Sequence, residues 1–271
     1  MDRPIHIYLD TNAFRYFGVA FKDVTLPMEV RERVLHSPLS AFEVMKQLAD
    51  LHGDAVLKQI HAIRNWTNPA HAGLLPFPSD ALRSYWFGTS AIDEGFRKGM
   101  QESFNVLLNT DSADDVLQGA IKHKEFMVKL KLQAAQDFQA MLEYAKKNPF
   151  DMTTAWFQGI ANGAGADPNS KPATDIQSIL SALYEYEQSK LATALKNPKY
   201  NPMSLTNQND IIDAEQLIYL ADESLYFLTC DQGFQKRIKK SPQATRIITA
   251  KAEELQNPIT AEALLRKTAN L

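Results

Sequence analysis

The pattern of hydrophobic and polar positions divides the chain into an α/β beginning, a long helical middle and an α/β end. Residues 5–9 form a short apolar run that predicts a buried strand, and residues 12–21 predict a first helix or loop. Near the other end, residues 225–229 predict a second buried strand and residues 245–249 predict an edge strand. This order favours an α/β fold, with a parallel sheet and helices on both faces.

The middle of the chain is predicted to be mostly helical. Ser37 and Pro38 suit the cap and first position of a helix that continues to about residue 66. Apolar residues then recur at three- and four-residue intervals over residues 79–148. We therefore divide the chain into an α/β domain of residues 1–66 and 201–271 and a helical insertion of residues 67–200.

A loop and several shorter helices are predicted after the long helical segment. Residues 161–175 are rich in Gly, Pro, Asn and Ser and predict a loop. Helices are predicted at residues 174–196 and 208–222, with a basic helix at 231–240 and a short helix from residue 260.

Composition limits the classes of protein to which the chain can belong. Of the 271 residues, 45% are hydrophobic and 23% are charged, which is ordinary for a folded protein. A formal charge of −3 argues against binding nucleic acid through overall positive charge, although a local basic patch is still compatible with it. The single cysteine, Cys230, excludes an internal disulfide. With no secretory signal and no long apolar run, we expect a cytoplasmic protein without membrane association.

Carboxylates occur where the predicted strands and helices begin or end. Asp10 and Asp231 follow the two buried strands, Glu43 lies in an early helix, and Asp213 lies near the start of a late helix, one turn after Asp210. Each has a simpler explanation as a turn, capping-box or helix-dipole residue. Because parallel strands end at one edge of a sheet, these acids are also expected to converge there.

Converging carboxylates would need a counter-ion. Two of them about 4 Å apart repel by about 4 kcal/mol at an effective dielectric constant near 20. Oxygen ligands of this kind are those that Mg²⁺ or Mn²⁺ prefers. The sequence therefore suggests a site for one or two such ions.

The blocks "YLDTN", "SPLSAFEVM" and "NDIIDAEQLIYLADESLYFLTCDQGF" resemble the motifs of the PIN-domain nucleases. The resemblance covers residues 5 to about 50 and 205 to about 250, and it says nothing about the helical insertion. It implies a metal-dependent endonuclease, acting on RNA, that leaves a 5′-phosphate and a 3′-hydroxyl. The implied metal ligands and catalytic residues are Asp10, Glu43, Asp213 and Asp231. Supporting roles fall to Asn12, Thr229 and Asp210.

The sequence also contains two basic runs, and the family resemblance suggests several partners. In the first run, the candidate phosphate-binding residues are Lys236, Arg237, Lys239 and Lys240. In the second run, residues 122–131, we expect a solvated helix face. The family resemblance suggests a toxin with an antitoxin inhibitor, an RNA-processing enzyme or a defence nuclease, and a homodimer is a further candidate assembly.

Two other functional classes stay open. A catalytically silent nuclease-like module could bind nucleic acid or protein, although it would have no need to keep four clustered acids. A haloacid-dehalogenase-type phosphatase also begins with a strand and an Asp. It requires a second Asp where this chain has Asn12, and no matching lysine block is present.

Overall fold

Four parallel strands form the sheet at the centre of the fold. The computed structural model describes residues 3–68, 73–88, 90, 92–148 and 152–271. The strands are β1 (His6–Leu9), β2 (Val34–His36), β3 (Leu225–Thr229) and β4 (Ile247–Thr249). Their spatial order is β2-β1-β3-β4, and every neighbouring pair is parallel. The predicted α/β class and parallel sheet are therefore confirmed, with β4 at an edge as expected.

Helices make up most of the remaining described chain. Before the predicted insertion these are α1 (Thr11–Ala20), α2 (Met28–Arg31), α3 (Pro38–Leu48) and α4 (Asp54–Arg64). Within it lie α5 (Pro78–Phe87), α6 (Glu94–Asn109), α7 (Ala113–Lys147), α8 (Met152–Ala164), α9 (Ala173–Ile179) and α10 (Ser181–Lys196). After it come α11 (Leu205–Glu215), a 3-10 segment (Gln216–Ala221), α12 (Gln232–Arg237), α13 (Ala252–Gln256) and α14 (Pro258–Ala269).

Several predicted boundaries are wrong for local reasons. The helix expected from Pro38 to residue 66 is divided, because the chain turns between α3 and α4 and Gly53 adopts φ +54° there. The loop expected from residue 161 begins later, since α8 continues to Ala164 and ends beside Gly165 at φ +64°. Strand β2 was not predicted, since three residues are too few to establish an alternating pattern.

The side chains of β1 show why helices cover both faces of the sheet. Ile7 and Leu9 point into one buried cluster, and Tyr8 points into the other. The inserted helices join both clusters, Phe138 of α7 the first and Trp156 of α8 the second. The sheet and the inserted helices thus share their hydrophobic core.

The helices also bear on the expectation about membranes. Within the described residues, every helix is too short or too polar to traverse a bilayer.

Candidate functional site

A pocket at the carboxyl ends of β1 and β3 contains all four of the acids singled out in the sequence. Its volume is about 230 Å³, and Asp10, Glu43, Asp213 and Asp231 all line it. We call it the acid pocket. The other lining residues are Thr11, Asn12, Arg15, Leu39, Met127, Lys131, Asn209, Ile212, Gln216 and Phe234. Because β1 and β3 are parallel neighbours, their carboxyl ends bring Asp10 and Asp231 to the same edge of the sheet.

Asp10 is held by hydrogen bonds to both of its carboxylate oxygens. Oδ1 accepts the backbone N–H of Ala13 at 2.6 Å and caps α1, and Oδ2 accepts the hydroxyl of Thr229 at 2.5 Å. Only 5% of Asp10 is exposed. Burial raises the pKa of Asp10, and these two hydrogen bonds oppose that rise. The capping explanation is therefore correct for one oxygen, while the other binds across to β3.

Thr229 links the two strand ends. Its fully buried hydroxyl donates to Asp10 and accepts the backbone N–H of Asp231 at 2.9 Å. Asp231 in turn caps α12, because its Oδ1 accepts the N–H of Gly233 at 2.6 Å. One hydroxyl thus fixes the spacing between the two acid-bearing turns.

Glu43 is neutralised by a lysine from the inserted helices. Nζ of Lys131, on α7, lies 2.7 Å from Oε2 of Glu43 and donates to Oδ1 of Asn209 at 2.7 Å, while Nζ of Lys46 lies 3.2 Å from Oε1 of Glu43. Burial alone would raise the pKa of Glu43, but Lys131 and then Lys46 outweigh it, so that the pKa is lowered.

Lys131 is a residue of the acid pocket that the sequence interpretation missed. It ends the basic run for which a solvated face was expected, yet only 8% of it is exposed, so the expectation is wrong at this position. The available signal was helical spacing, because Lys131 lies one turn after Met127, which is completely buried.

Asp213 differs from the other acids because no hydrogen bond or ion pair joins its side chain to another described residue. Burial, followed by the charge of Asp10, raises the pKa of Asp213 to about 7, and Lys131 opposes the rise. The surroundings of Asp213 therefore disfavour the charged form of its carboxyl group. The pocket has more negative charge than its neighbouring cations offset.

Asp210 and Arg237 are paired outside the acid pocket. Arg237 Nη1 lies 3.7 Å from Asp210 Oδ2 and donates to the hydroxyl of Tyr186 at 2.7 Å. Its guanidinium also lies 4.9 Å from the centre of the Tyr186 ring. Arg237, which was predicted to bind phosphate, is thus engaged in contacts within the protein. Lys236, Lys239 and Lys240 are exposed.

Helix α3 begins at the predicted Ser37 cap and not at a capping box one turn later. The hydroxyl of Ser37 accepts the N–H of Leu39 at 3.2 Å, and Pro38 occupies the first helical position, as predicted. A capping box of Ser40 with Glu43, which was the simpler explanation for Glu43, is wrong, because the buried Ser40 hydroxyl lies 3.0 Å from both the carbonyl oxygen of Leu9 and Oε1 of Gln216 and can donate to either. Gln216 and Arg15 line the acid pocket without having been predicted.

The donor set bears on whether a metal ion fits. The four acids supply the hard oxygen atoms that Mg²⁺ and Mn²⁺ prefer. Burial is the largest cause of the raised pKa of Asp213, and the charge of Asp10, which a cation would offset, is the next. As the described side chains stand, however, no three His, Cys, Asp or Glu residues among them are arranged to hold one ion. Compared with protein-family models, curated proteins and solved structures, the chain matches none of them.

Proposed function

We propose that this protein is a metal-dependent endonuclease of the PIN-like type that hydrolyses phosphodiester bonds in RNA. The observation that carries the proposal is that Asp10, Glu43, Asp213 and Asp231, far apart in sequence, line one pocket at the carboxyl edge of a parallel sheet. This edge is where ligands bind in open α/β sheets.

The residues of the acid pocket would have three roles, which are metal binding, positioning of a ligand and attraction of phosphate. Asp10, Asp213 and Asp231, with Glu43, would hold Mg²⁺ or Mn²⁺, and the bound ion would supply activation of water and neutralisation of phosphate charge. Thr229 positions Asp10, and the cations of Arg15 and Lys131 are placed to attract a phosphate group. In the hydrolysis, water adds to phosphorus and the bond to the 3′-oxygen breaks, which gives a 5′-phosphate and a 3′-hydroxyl.

Cleavage of single-stranded RNA with Mn²⁺ tests the proposal. We expect Asp10→Asn to lower the rate about a hundredfold or more, since a ligand carboxylate is lost. The amide oxygen can still cap α1, so the fold should survive. EDTA should abolish cleavage by the unchanged protein.

A matched control separates the acid pocket from general charge effects. Asp23 lies on the surface with 79% of its side chain exposed, and Asp23→Asn should leave the rate unchanged. Full activity of Asp10→Asn would remove the nuclease proposal.

One contact favours a second candidate, a catalytically silent module that binds nucleic acid or protein. Lys131 already neutralises Glu43, as a cation would in a metal site. Calorimetric titration with Mn²⁺ decides between the two, because a silent module would bind no divalent ion and would cleave no RNA.

A further inference from the structure

A second cavity, which we call the helical cavity, lies among α5, α7, α8, α10 and α11. Its volume is about 320 Å³, within the range of small-molecule sites. It uses different faces of α7 and α11 from those that border the acid pocket. On α11, for example, Ile211 and Glu215 lie one turn apart and border the helical cavity, whereas Ile212 and Asp213 border the acid pocket.

The wall of the helical cavity is mainly aromatic and aliphatic. It includes Leu82, Phe138, Met141, Trp156, Ile160 and Leu183. Gly159 and Gly163 lie one turn apart on α8 and leave room on one side. A Cβ atom placed on Gly159 would meet no atom within 4 Å. The space can accept an apolar group without moving the helices.

Three carboxyl groups interrupt this apolar wall. Asp137 is exposed, and Glu187 and Glu215 lie deeper on α10 and α11. Oε2 of Glu187 accepts the indole N–H of Trp156 at 2.7 Å. The side chain of Glu215 makes no hydrogen bond and no ion pair with any described residue. A carboxylate in an apolar wall without a partner is unfavourable, so something must compensate it when it is charged.

The neighbouring lysine does not supply that compensation. Lys190 lies one turn beyond Glu187 on α10 and is 4% exposed. Its Nζ lies over the ring of Phe138, 5.4 Å from the ring centre, and makes no hydrogen bond within the described chain. Among the described residues, no cation therefore contacts Glu215.

We propose that the helical cavity binds a small organic ammonium ion with an apolar body. The ammonium group would lie against Glu215 and Glu187, and the body would lie against Phe138, Met141 and Trp156. An anionic ligand would find no described cation on the wall of the cavity to bind it. A neutral apolar ligand would fill the space but leave Glu215 without a partner. Aromatic rings beside a cation add a favourable electrostatic contact.

Calorimetry on the full chain tests this proposal with two probes of the same shape. Phenethylamine carries the ammonium group, and phenethyl alcohol replaces it with a neutral hydroxyl. We expect the amine to bind at least about tenfold more tightly than the alcohol, as a desolvated ion pair outweighs a neutral hydrogen bond. Equal affinity for the two probes, or no binding of the amine, would overturn the proposal.

Substitutions then locate the ammonium group. Glu215→Gln should weaken the amine about tenfold and leave the alcohol unchanged, whereas Glu125→Gln, at an exposed position of α7, should change neither. If Glu215→Gln does not fold, Glu187→Gln provides the same comparison. Unchanged amine affinity in the folded variant contradicts the assignment. The assay contains neither RNA nor a divalent ion, so its outcome is independent of the nuclease proposal.

Discussion

Carboxyl groups meet in both the acid pocket and the helical cavity, but their surroundings differ. In the acid pocket, Asp10 and Asp231 accept backbone or hydroxyl hydrogen bonds, and Glu43 is paired with Lys131. In the helical cavity, Glu187 accepts one indole N–H, and Glu215 has no partner in the described chain. Polar groups organise the first set of acids, and apolar walls isolate the second.

The raised pKa values of three acids share their largest cause and differ in the influences that follow it. Burial is the largest cause for Asp213, Glu187 and Glu215, whose pKa values rise to about 7, about 7 and about 8. For Asp213 the next cause is the charge of Asp10, so crowding of acids adds to burial. For Glu187 the next influence is the Trp156 hydrogen bond, which lowers the pKa. For Glu215 the next causes are the charges of Glu187 and Asp137, so crowding of acids adds to burial in both regions and a raised pKa alone does not distinguish them.

The two regions also share their framework. Residues of α7 and α11 border both, and neighbouring positions such as Leu130 and Lys131 face different ones. The helical insertion thus supplies four of the five helices around the helical cavity and, in Lys131, one cation of the acid pocket. Lys131 of the insertion and the acids at the edge of the sheet therefore line the same pocket.

The strongest test of organisation in the acid pocket is Thr229→Val, which keeps the side-chain shape and removes the hydroxyl. Asp10 then loses a donor and the N–H of Asp231 loses its acceptor. We expect the free energy of unfolding to fall by about 2 kcal/mol, as for a buried hydrogen bond to a charged group. Urea denaturation measures the change.

Thr229→Ser provides the matched control for that test. It keeps the hydroxyl and should retain most of the lost stability. If Thr229→Val unfolds at the same urea concentration as the unchanged protein, the hydroxyl link does not organise the acid pocket.

A smaller effect is expected from Lys131→Met, which removes the cation next to Glu43. Without that charge, the carboxylates attract a divalent ion more strongly, and we expect the affinity for Mn²⁺ to rise about tenfold, or about 1.4 kcal/mol. Calorimetry without nucleic acid measures it. Lys129→Met, at an exposed position on the same helix, should leave the affinity unchanged. A fall in affinity for Lys131→Met would show that the lysine does not compete with the ion.

The sequence predicted the sheet edge of the acid pocket better than its inner wall. Asp10 follows β1 directly and Asp231 follows β3 after one residue, so a local pattern gives both the strand and the position of its acid. The parallel arrangement then brings the two ends together. The link through Thr229 was harder to predict, because a threonine at a strand end is also an ordinary β-branched residue.

What the sequence could not provide depends on contacts between distant segments. Lys131 approaches Glu43 only because α7 packs against α3, and a basic run by itself does not show which lysine turns inward. The helical cavity is an unfilled space among five helices. Apolar periodicity predicts that each helix buries a face, but it does not predict where the buried faces fail to meet.

The smallest expected effect concerns the helical cavity and comes from Glu187→Gln. The folded-state pKa of Glu187 is raised to about 7, so the unfolded chain releases this proton at lower pH than the folded chain does. Ionisation of Glu187 therefore removes stability as pH rises from about 4.5 through about 7.

Glutamine does not ionise, and its amide oxygen can still accept the Trp156 indole N–H. We expect the variant to match the unchanged protein near pH 4 and to be more stable by about 1 kcal/mol near pH 8, after allowance for partial exposure and for Lys190. Urea denaturation at the two pH values measures the difference, and Glu125→Gln should show none. A gain of the same size at both pH values would mean that ionisation in the apolar wall is not its cause, and the contrast between the two sets of acids would then rest on geometry alone.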